Sequence, residues 1–311
     1  MLSRVASHLY WMSRSQERAE NMARILDVGQ SLALLSRGRA DDDAFLEPLH
    51  ITGTLVPFDA SGRGRTPEAV ARFLAWDQEL QSSIYNSIRN CRENARAVRA
   101  ALTTEMWENI NDTWLQMQQK RRHENEPIDN DFFEWVKERG HLFRGVTVGT
   151  IRREQPYQFI LLGTFVERAD NTARILSVKK QPDGGDDEAF DSITDFYRQS
   201  ALLRSVSAFE AYRDTYRDAV DPKRVAELLV LNPQMPRSLR FCFDQVVRLL
   251  SRLPVENARP ARQLAATMHA QLEFAVIDEI LEEGLHGYLE RFVDQTIQLG
   301  ELIREAYLEL E

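Results

Sequence analysis

Cysteine is almost missing from this chain: Cys91 and Cys242 are the two among 311 residues. Two thiols without metal-type neighbours cannot make a disulfide framework or a zinc site, so buried thiols in a reducing, cytoplasmic setting are expected. Glycine and proline are also sparse, at 14 and 11, and no strand-turn-strand pattern stands out. No apolar run approaches the roughly 18 residues of a membrane span. Arg4, His8, Arg14, Glu17 and Arg18 interrupt any signal-peptide core at the start, so export is not expected. A net charge of -9 argues against a general nucleic-acid binder, which needs basic excess to displace counterions. Reaction signatures are missing too, with no glycine-rich phosphate loop and no nucleophile elbow. Gly145 and Gly149, between Phe143 and Thr150, lack a flanking strand and read as a turn. His141 beside it reads as a local hydrogen-bonding residue rather than a general base.

What the chain does have is helix. At 43% hydrophobic and 28% charged it can bury a large core, and apolar residues recur at helical spacing from Leu2 onward. Gly38 offers a stop to a long first helix and Asp41-Asp42-Asp43 a start to the next, while 55–65 reads as loop. Thr66-Pro67-Glu68 has the order of a helix start leading to about Trp76. Ser82 or Ser83 caps a long helix carrying Arg89 through at least Met117, followed by a charged loop over 121–129. Pro156 opens the next long helix, which ends at the exposed loop 181–185. Further helices are expected over 188–217, 222–231, 236–253, 260–283 and 285–308. The fold class is all-α: one compact domain over 1–311, with about nine to eleven helices.

Its most informative feature is a repeat. Glu17-Arg18-Ala19-Glu20-Asn21-Met22-Ala23-Arg24-Ile25-Leu26 returns 150 positions later as Glu167-Arg168-Ala169-Asp170-Asn171-Thr172-Ala173-Arg174-Ile175-Leu176. A weaker echo, Val70-Ala71, Phe73-Leu74, Asp77 and Ser83-Ile84, recurs 155 positions later as Val225-Ala226, Leu228-Leu229, Asn232 and Ser238-Leu239. Two pseudo-symmetric halves, 1–155 and 156–311, follow. Core packing tolerates many apolar choices, so repeated polar identity means that these side chains meet defined partners. Helices bearing Glu17 and Glu167 should therefore pack together about a pseudo-two-fold axis.

Three readings of the motif stay open. Glu17 with Glu20, and Glu167 with Asp170, lie on one helix face each, and four converging carboxylates could hold Mg²⁺ or Mn²⁺. Against that, Glu20 to Arg24 and Asp170 to Arg174 are i to i+4 ion pairs, and Arg18 and Arg168 add cations, which suits a structural network. A ligand site is the third. A separate stripe in the first half, Arg89, Arg92, Glu93, Arg96, Arg99, Trp107 and Asn111, falls in one sector if the helix is continuous. Guanidinium groups in a row suit a carboxylate or phosphate, with Glu93 as the candidate catalytic base; a solvated basic face is the plain alternative. Glu105 and Glu108 point away and could pair with Arg18 or Arg168. The five tryptophans read as core or helix-contact residues.

Leu9-Tyr10-Trp11-Met12 with Glu17-Arg18-Ala19-Glu20-Asn21, Cys91-Arg92-Glu93-Asn94-Ala95-Arg96 with Glu105-Met106-Trp107-Glu108, Glu167-Arg168-Ala169-Asp170-Asn171, and Ser207-Ala208-Phe209-Glu210-Ala211-Tyr212 together resemble the alpha-E protein family over essentially the full chain. That resemblance implies a bacterial, all-helical protein, encoded or fused with circularly permuted ATP-grasp ligases and transglutaminase-like proteins, in peptide synthesis or tagging. The expected role is then a helical partner of an ATP-grasp amidoligase, receiving a peptide or its carboxylate. An enzyme, a hydrolase or transferase acting through Glu93 or the repeated carboxylates, is the alternative. No resident cofactor is expected on the first reading.

Overall fold

Side-chain caps set where the helices begin in a computed structural model of the chain, which describes residues 1–35, 44–177, 188–254 and 257–309. Thr66 Oγ1 accepts the Ala69 N–H at the start of α4 (Pro67–Trp76), and Ser83 Oγ accepts the Asn86 N–H before α5 (Ile84–Ala97). Thr103 caps α6 (Thr104–Arg121) and Asp129 caps α7 (Asn130–Thr150) in the same way. The second half repeats the grammar: Asp221 caps α11 (Pro222–Leu231) and Ser238 caps α12 (Leu239–Ser251). Each cap satisfies an N–H that the first turn leaves unpaired.

Helices α4, α5, α6 and α7 start at 67, 84, 104 and 130. Helices α11, α12, α13 (Arg259–Phe274) and α15 (Leu285–Ile303) start at 222, 239, 259 and 285, each 155 positions further on. The longest elements, α1 (Ser3–Leu35) and α8 (Gln155–Ser177), carry the repeated motif and stand at the centre. Helix α1 packs against α5, α7 and α8, and α8 packs against α1, α12 and α15. The Met1 amine meets Gln155, Tyr10 and Ser13 meet Gly163, and Ile25 shares a cluster with Ile175, so α1 and α8 run parallel. A Cβ at Gly163 would overlap the Tyr10 carbonyl oxygen and Ser13 Oγ, so glycine there permits the close approach. Apolar faces of α1 serve three clusters in turn: Leu9 and Met12 with α8 and α12, Met22 and Leu26 with α4 to α7, and Ile25 with the α9 (Glu188–Ser205) and α11 region.

The class is all-α as expected, but the described residues hold fifteen α-helices, because several long helices are broken. The expected helix from Ser83 to Met117 stops at Val98 and restarts after a 3-10 turn, Arg99–Ala101, since Thr103 caps a new helix. The stretch expected over 188–217 breaks at Ser207, whose φ of 53° is left-handed, before α10 (Phe209–Tyr216). The one expected over 260–283 breaks at the extended Ala275 and Val276 before α14 (Ile277–Glu283). Short helices α2 (Glu47–Thr52) and α3 (Leu55–Ala60) fill ground expected in part to be loop. The expected turn over 143–150 is helical, part of α7. Gly145 and Gly149 are exposed there, where lack of a side chain costs little packing. The stop at Gly38, the start at Asp41 and the loop 181–185 lie outside the described residues. Both cysteines are buried, and burial pushes both thiols up, Cys242 to about 12, which leaves them unreactive.

Candidate functional site

The two copies of the motif exchange partners. Arg18 of α1 forks onto Glu167 of α8, Nε to Oε1 at 2.6 Å and Nη2 to Oε2 at 2.9 Å. Arg168 of α8 forks back onto Glu17 of α1, Nε to Oε1 at 2.9 Å and Nη2 to Oε2 at 3.0 Å. Bidentate pairing of this kind fixes orientation as well as charge. Expected intrahelical pairs form as well: Arg24 on Glu20 at 2.8 Å and Arg174 on Asp170 at 2.8 Å.

Around that shared centre the two ends differ. Glu20 is 0% exposed and receives Arg24, Arg237 and Arg144. Glu17, at 2%, takes Arg237 Nη1 at 3.1 Å and Arg144 Nη1 at 3.4 Å beside its Arg168 fork. Arg144 comes from α7 and Arg237 from the turn before α12. Their equivalents under the 155-residue shift are Leu299 and Ser82, so neither ion pair is duplicated. Gly140 makes room, since a Cβ there would overlap Glu20 Oε2. Burial pushes the Glu17 acid up, but Arg168, Arg237 and Arg144 outweigh it and hold the carboxyl far below its usual range. Burial and Glu17 likewise raise Glu20, and Arg237 and Arg144 bring it down further. Burial is the largest cause pulling Arg237 down to about 10, helped by Arg168 and Arg24 and opposed by Glu17 and Glu20.

At the α8 end, Glu167 receives Arg14 Nε at 2.7 Å besides Arg18, and Arg14 lies over the Trp11 ring at 5.1 Å. Arg18 and Arg174 are 33% and 34% exposed, so this end is partly open. Burial raises Glu167, while Arg18 and Arg14 bring it down to about 2. Asn21 is buried with its Oδ1 accepting from Arg237, whereas Asn171 is half-buried.

The four motif carboxylates are thus each engaged by guanidinium groups. Among the described residues no three His, Cys, Asp or Glu side chains gather as a metal-ligand set. Glu105 and Glu108 are exposed, and Arg18 and Arg168 are held by the motif acids instead. His141 sits within α7, its Nε2 at 3.1 Å from Arg24 Nη2. A guanidinium only donates, so Nε2 accepts and the neutral ring carries its proton on Nδ1. Burial, with Arg144, Arg24 and Arg237, holds that ring's pKa below its ordinary value.

The residues of the arginine stripe lie on a helix hairpin and not on one helix face. Arg89, Arg92, Glu93 and Arg96 lie on α5, Arg99 in the 3-10 turn, and Trp107 and Asn111 on α6. Arg92 donates to Glu93 at 2.6 Å and to Asn111 at 3.3 Å, and Arg96 meets Glu93 at 3.0 Å. Arg92 and Arg99 both lie over Trp107, at 5.8 and 5.2 Å from its ring centre. Among the described residues no carboxylate pairs with Arg89. Sequence reasoning missed Arg144 and Arg237. The face Gly140, Phe143, Thr147 of α7, buried at helical spacing, would have exposed the first had 143–150 been read as helix. Arg237 gives no comparable signal.

Chains with this pattern form a recognised group. A family model described as a predicted alpha-helical domain with a conserved ER motif matches residues 1–308. The chain belongs to the Alpha-E family. Four Glu-Arg dipeptides occur in this Alpha-E chain, at 17, 138, 167 and 290. Glu138 and Glu290 are exposed, so the buried, reciprocally paired dipeptides at 17 and 167 are the ones built into the core. Uncharacterized proteins of Mycobacterium bovis and Mycobacterium tuberculosis are each 33% identical over 140 residues, covering 40% of this chain and 15% of each relative. The match therefore spans a small part of those much longer chains. No solved structure matches the Alpha-E chain. No helix among the described residues is long and apolar enough to cross a membrane.

Proposed function

We propose that this Alpha-E chain is a binding partner in an ATP-grasp amidoligase system, working beside a transglutaminase-like protein, and receives a peptide carboxylate on the α5/α6 hairpin. The observation that carries this reading is Arg89, which has no carboxylate partner among the described residues and shares α5 with Arg92, itself lying over Trp107. A planar fork beside an aromatic ring suits a chain terminus, since the carboxylate takes the guanidinium and the last side chain takes the ring. Glu93 is held between Arg92 and Arg96, which suits orientation of those groups better than proton abstraction. Occurrence of a similar stretch inside longer mycobacterial chains supports a module that works joined to other domains.

The test is fluorescence titration of the full chain with a short peptide carrying a free C-terminal carboxylate and with its amidated form. The carboxylate form should bind at least about tenfold more tightly, and Arg89→Ala should remove that preference, as expected for a lost charge-assisted pair. Equal binding of the two forms would sink the carboxylate reading. Peptide turnover without the ligase would replace it with the hydrolase or transferase.

A further inference from the structure

We propose that the α1/α7 cluster has a second ligand site, distinct from the hairpin face, where Arg24, Arg144, His141 and Ser207 meet around Glu20 and bind a dianionic phosphate group. Charge is the first reason. Among the described residues, Arg24, Arg144, Arg168 and Arg237 face Glu17 and Glu20 as their ion-pair acids, four cations against two anions. Arg237 and Arg168 are almost fully buried, so bulk water compensates them poorly. Burial draws the Arg237 guanidinium down toward about 10, the direction expected where cations outnumber their acids.

The second reason is unused donors. Asn21 is 3% exposed, and its Nδ2 has no partner although its Oδ1 is held by Arg237. Buried donors without acceptors are rare in native structures, so the polar layer beneath the cluster is not balanced by its own acceptors. Ser207 Oγ accepts from Arg24 Nη1 at 2.6 Å, which leaves the Ser207 hydroxyl hydrogen to point elsewhere. His141 accepts through Nε2 and so carries its donor on Nδ1, and its side chain is 59% exposed.

The third reason is access. Glu17 and Glu20 are sealed off, while Ser207 and His141 are exposed and Arg144 is partly so, so solvent meets donors here and no open carboxylate from the motif. Ser207 is the left-handed residue that ends α9, with its own N–H on the Arg204 carbonyl and the Ala208 N–H on the Leu203 carbonyl, and this cap leaves its hydroxyl exposed beside Arg24. Donors come from α1, α7 and the α9/α10 turn. Three directions fit a tetrahedral oxyanion, whereas a planar carboxylate is served by one fork.

The experiment is thermal unfolding and calorimetric titration of the full chain with inorganic phosphate, with sodium chloride holding ionic strength constant. Phosphate should raise the melting temperature in a saturable way, as a ligand of the folded state does. Arg144→Gln should weaken phosphate binding about tenfold or more, the scale of a lost charge-assisted contact, and Arg92→Ala on the hairpin should leave it unchanged. If Arg144→Gln does not fold, His141→Ala and Ser207→Ala, at exposed side chains, carry the test, and unchanged affinity in both overturns the site. Acetate binding as tightly as phosphate overturns the dianion assignment, and a phosphate effect no larger than that of chloride overturns the site itself. Glycerol phosphate distinguishes the source: tighter binding than inorganic phosphate identifies a phosphomonoester, weaker binding the free ion, and both support the site. Because the hairpin and the cluster share no residue, loss of peptide binding and loss of phosphate binding are separate results.

Discussion

Glu17 with Glu20 on α1 and Glu167 with Asp170 on α8 are one motif in two settings. The α1 pair lies under four guanidinium groups, two of them at positions where the other half has Leu299 and Ser82. The α8 pair has Arg14, Arg18 and Arg174, two of which are about one-third exposed. Identical local sequence therefore guarantees the crossed Glu-Arg forks, while surroundings decide how much each carboxylate matters. A buried charge that loses its partner is left uncompensated; an exposed one is rescued by water.

The largest test of that contrast is removal of one charge at each end. Glu20→Gln should cost about 3–5 kcal/mol, because Arg24, Arg144 and Arg237 lose their shared negative charge in the interior. Asp170→Asn should cost about 1 kcal/mol or less, the range of a partly exposed pair. Chemical denaturation measures both, and equal losses would break the comparison. Helix approach gives the next effect. Gly163→Ala drives a Cβ into the Tyr10 backbone and should cost about 1–3 kcal/mol, while Ser13→Ala, at the position 150 residues earlier, should cost about 1 kcal/mol through its lost hydroxyl bond.

Acid sharpens the contrast further. Glu167 has a folded pKa near 2, below its ordinary 4.5, so its contribution is complete above about pH 4.5 and lost as pH falls toward 2. Glu17 is held lower still, so its share also begins to fall near pH 4.5 but goes on falling at more acid pH than that of Glu167. Unfolding free energy followed against pH should therefore fall below pH 4.5, and Glu167→Gln should flatten the upper part of that fall. A slope unchanged in Glu167→Gln would place the titrating group elsewhere. The smallest expected effect is that of a chelator: EDTA should leave the melting temperature unchanged, because guanidinium groups already engage the motif carboxylates. A clear drop would restore the Mg²⁺ or Mn²⁺ reading of those acids.

The repeated decapeptide makes the meeting of α1 and α8 legible, and the i to i+4 pairs follow from helical geometry. The crossed forks are not legible in the same way: spacing alone leaves Arg18 and Arg168 open to Glu105 and Glu108, and it takes the parallel packing of α1 and α8 to set Glu17 against Arg168. Arg144 and Arg237 were hidden because each comes from a segment without a matching basic residue in the other half. The hairpin looks like one helix in the sequence because Val98 to Leu102 contains no glycine or proline. Only the Thr103 hydroxyl, as a cap, betrays the break. Arg92 still reaches Asn111 and Trp107 because α6 folds back beside α5.

The crossed forks carry a consequence for the symmetry of the halves. Each half presents both an acid and its complementary guanidinium, so the surface between α1 and α8 has the self-complementarity of an isologous dimer interface. Two copies of one unit meeting in this way would satisfy both forks at once. Within the single chain the copies are not held to identity, and Arg144 and Arg237 on one side alone seal Glu17 and Glu20.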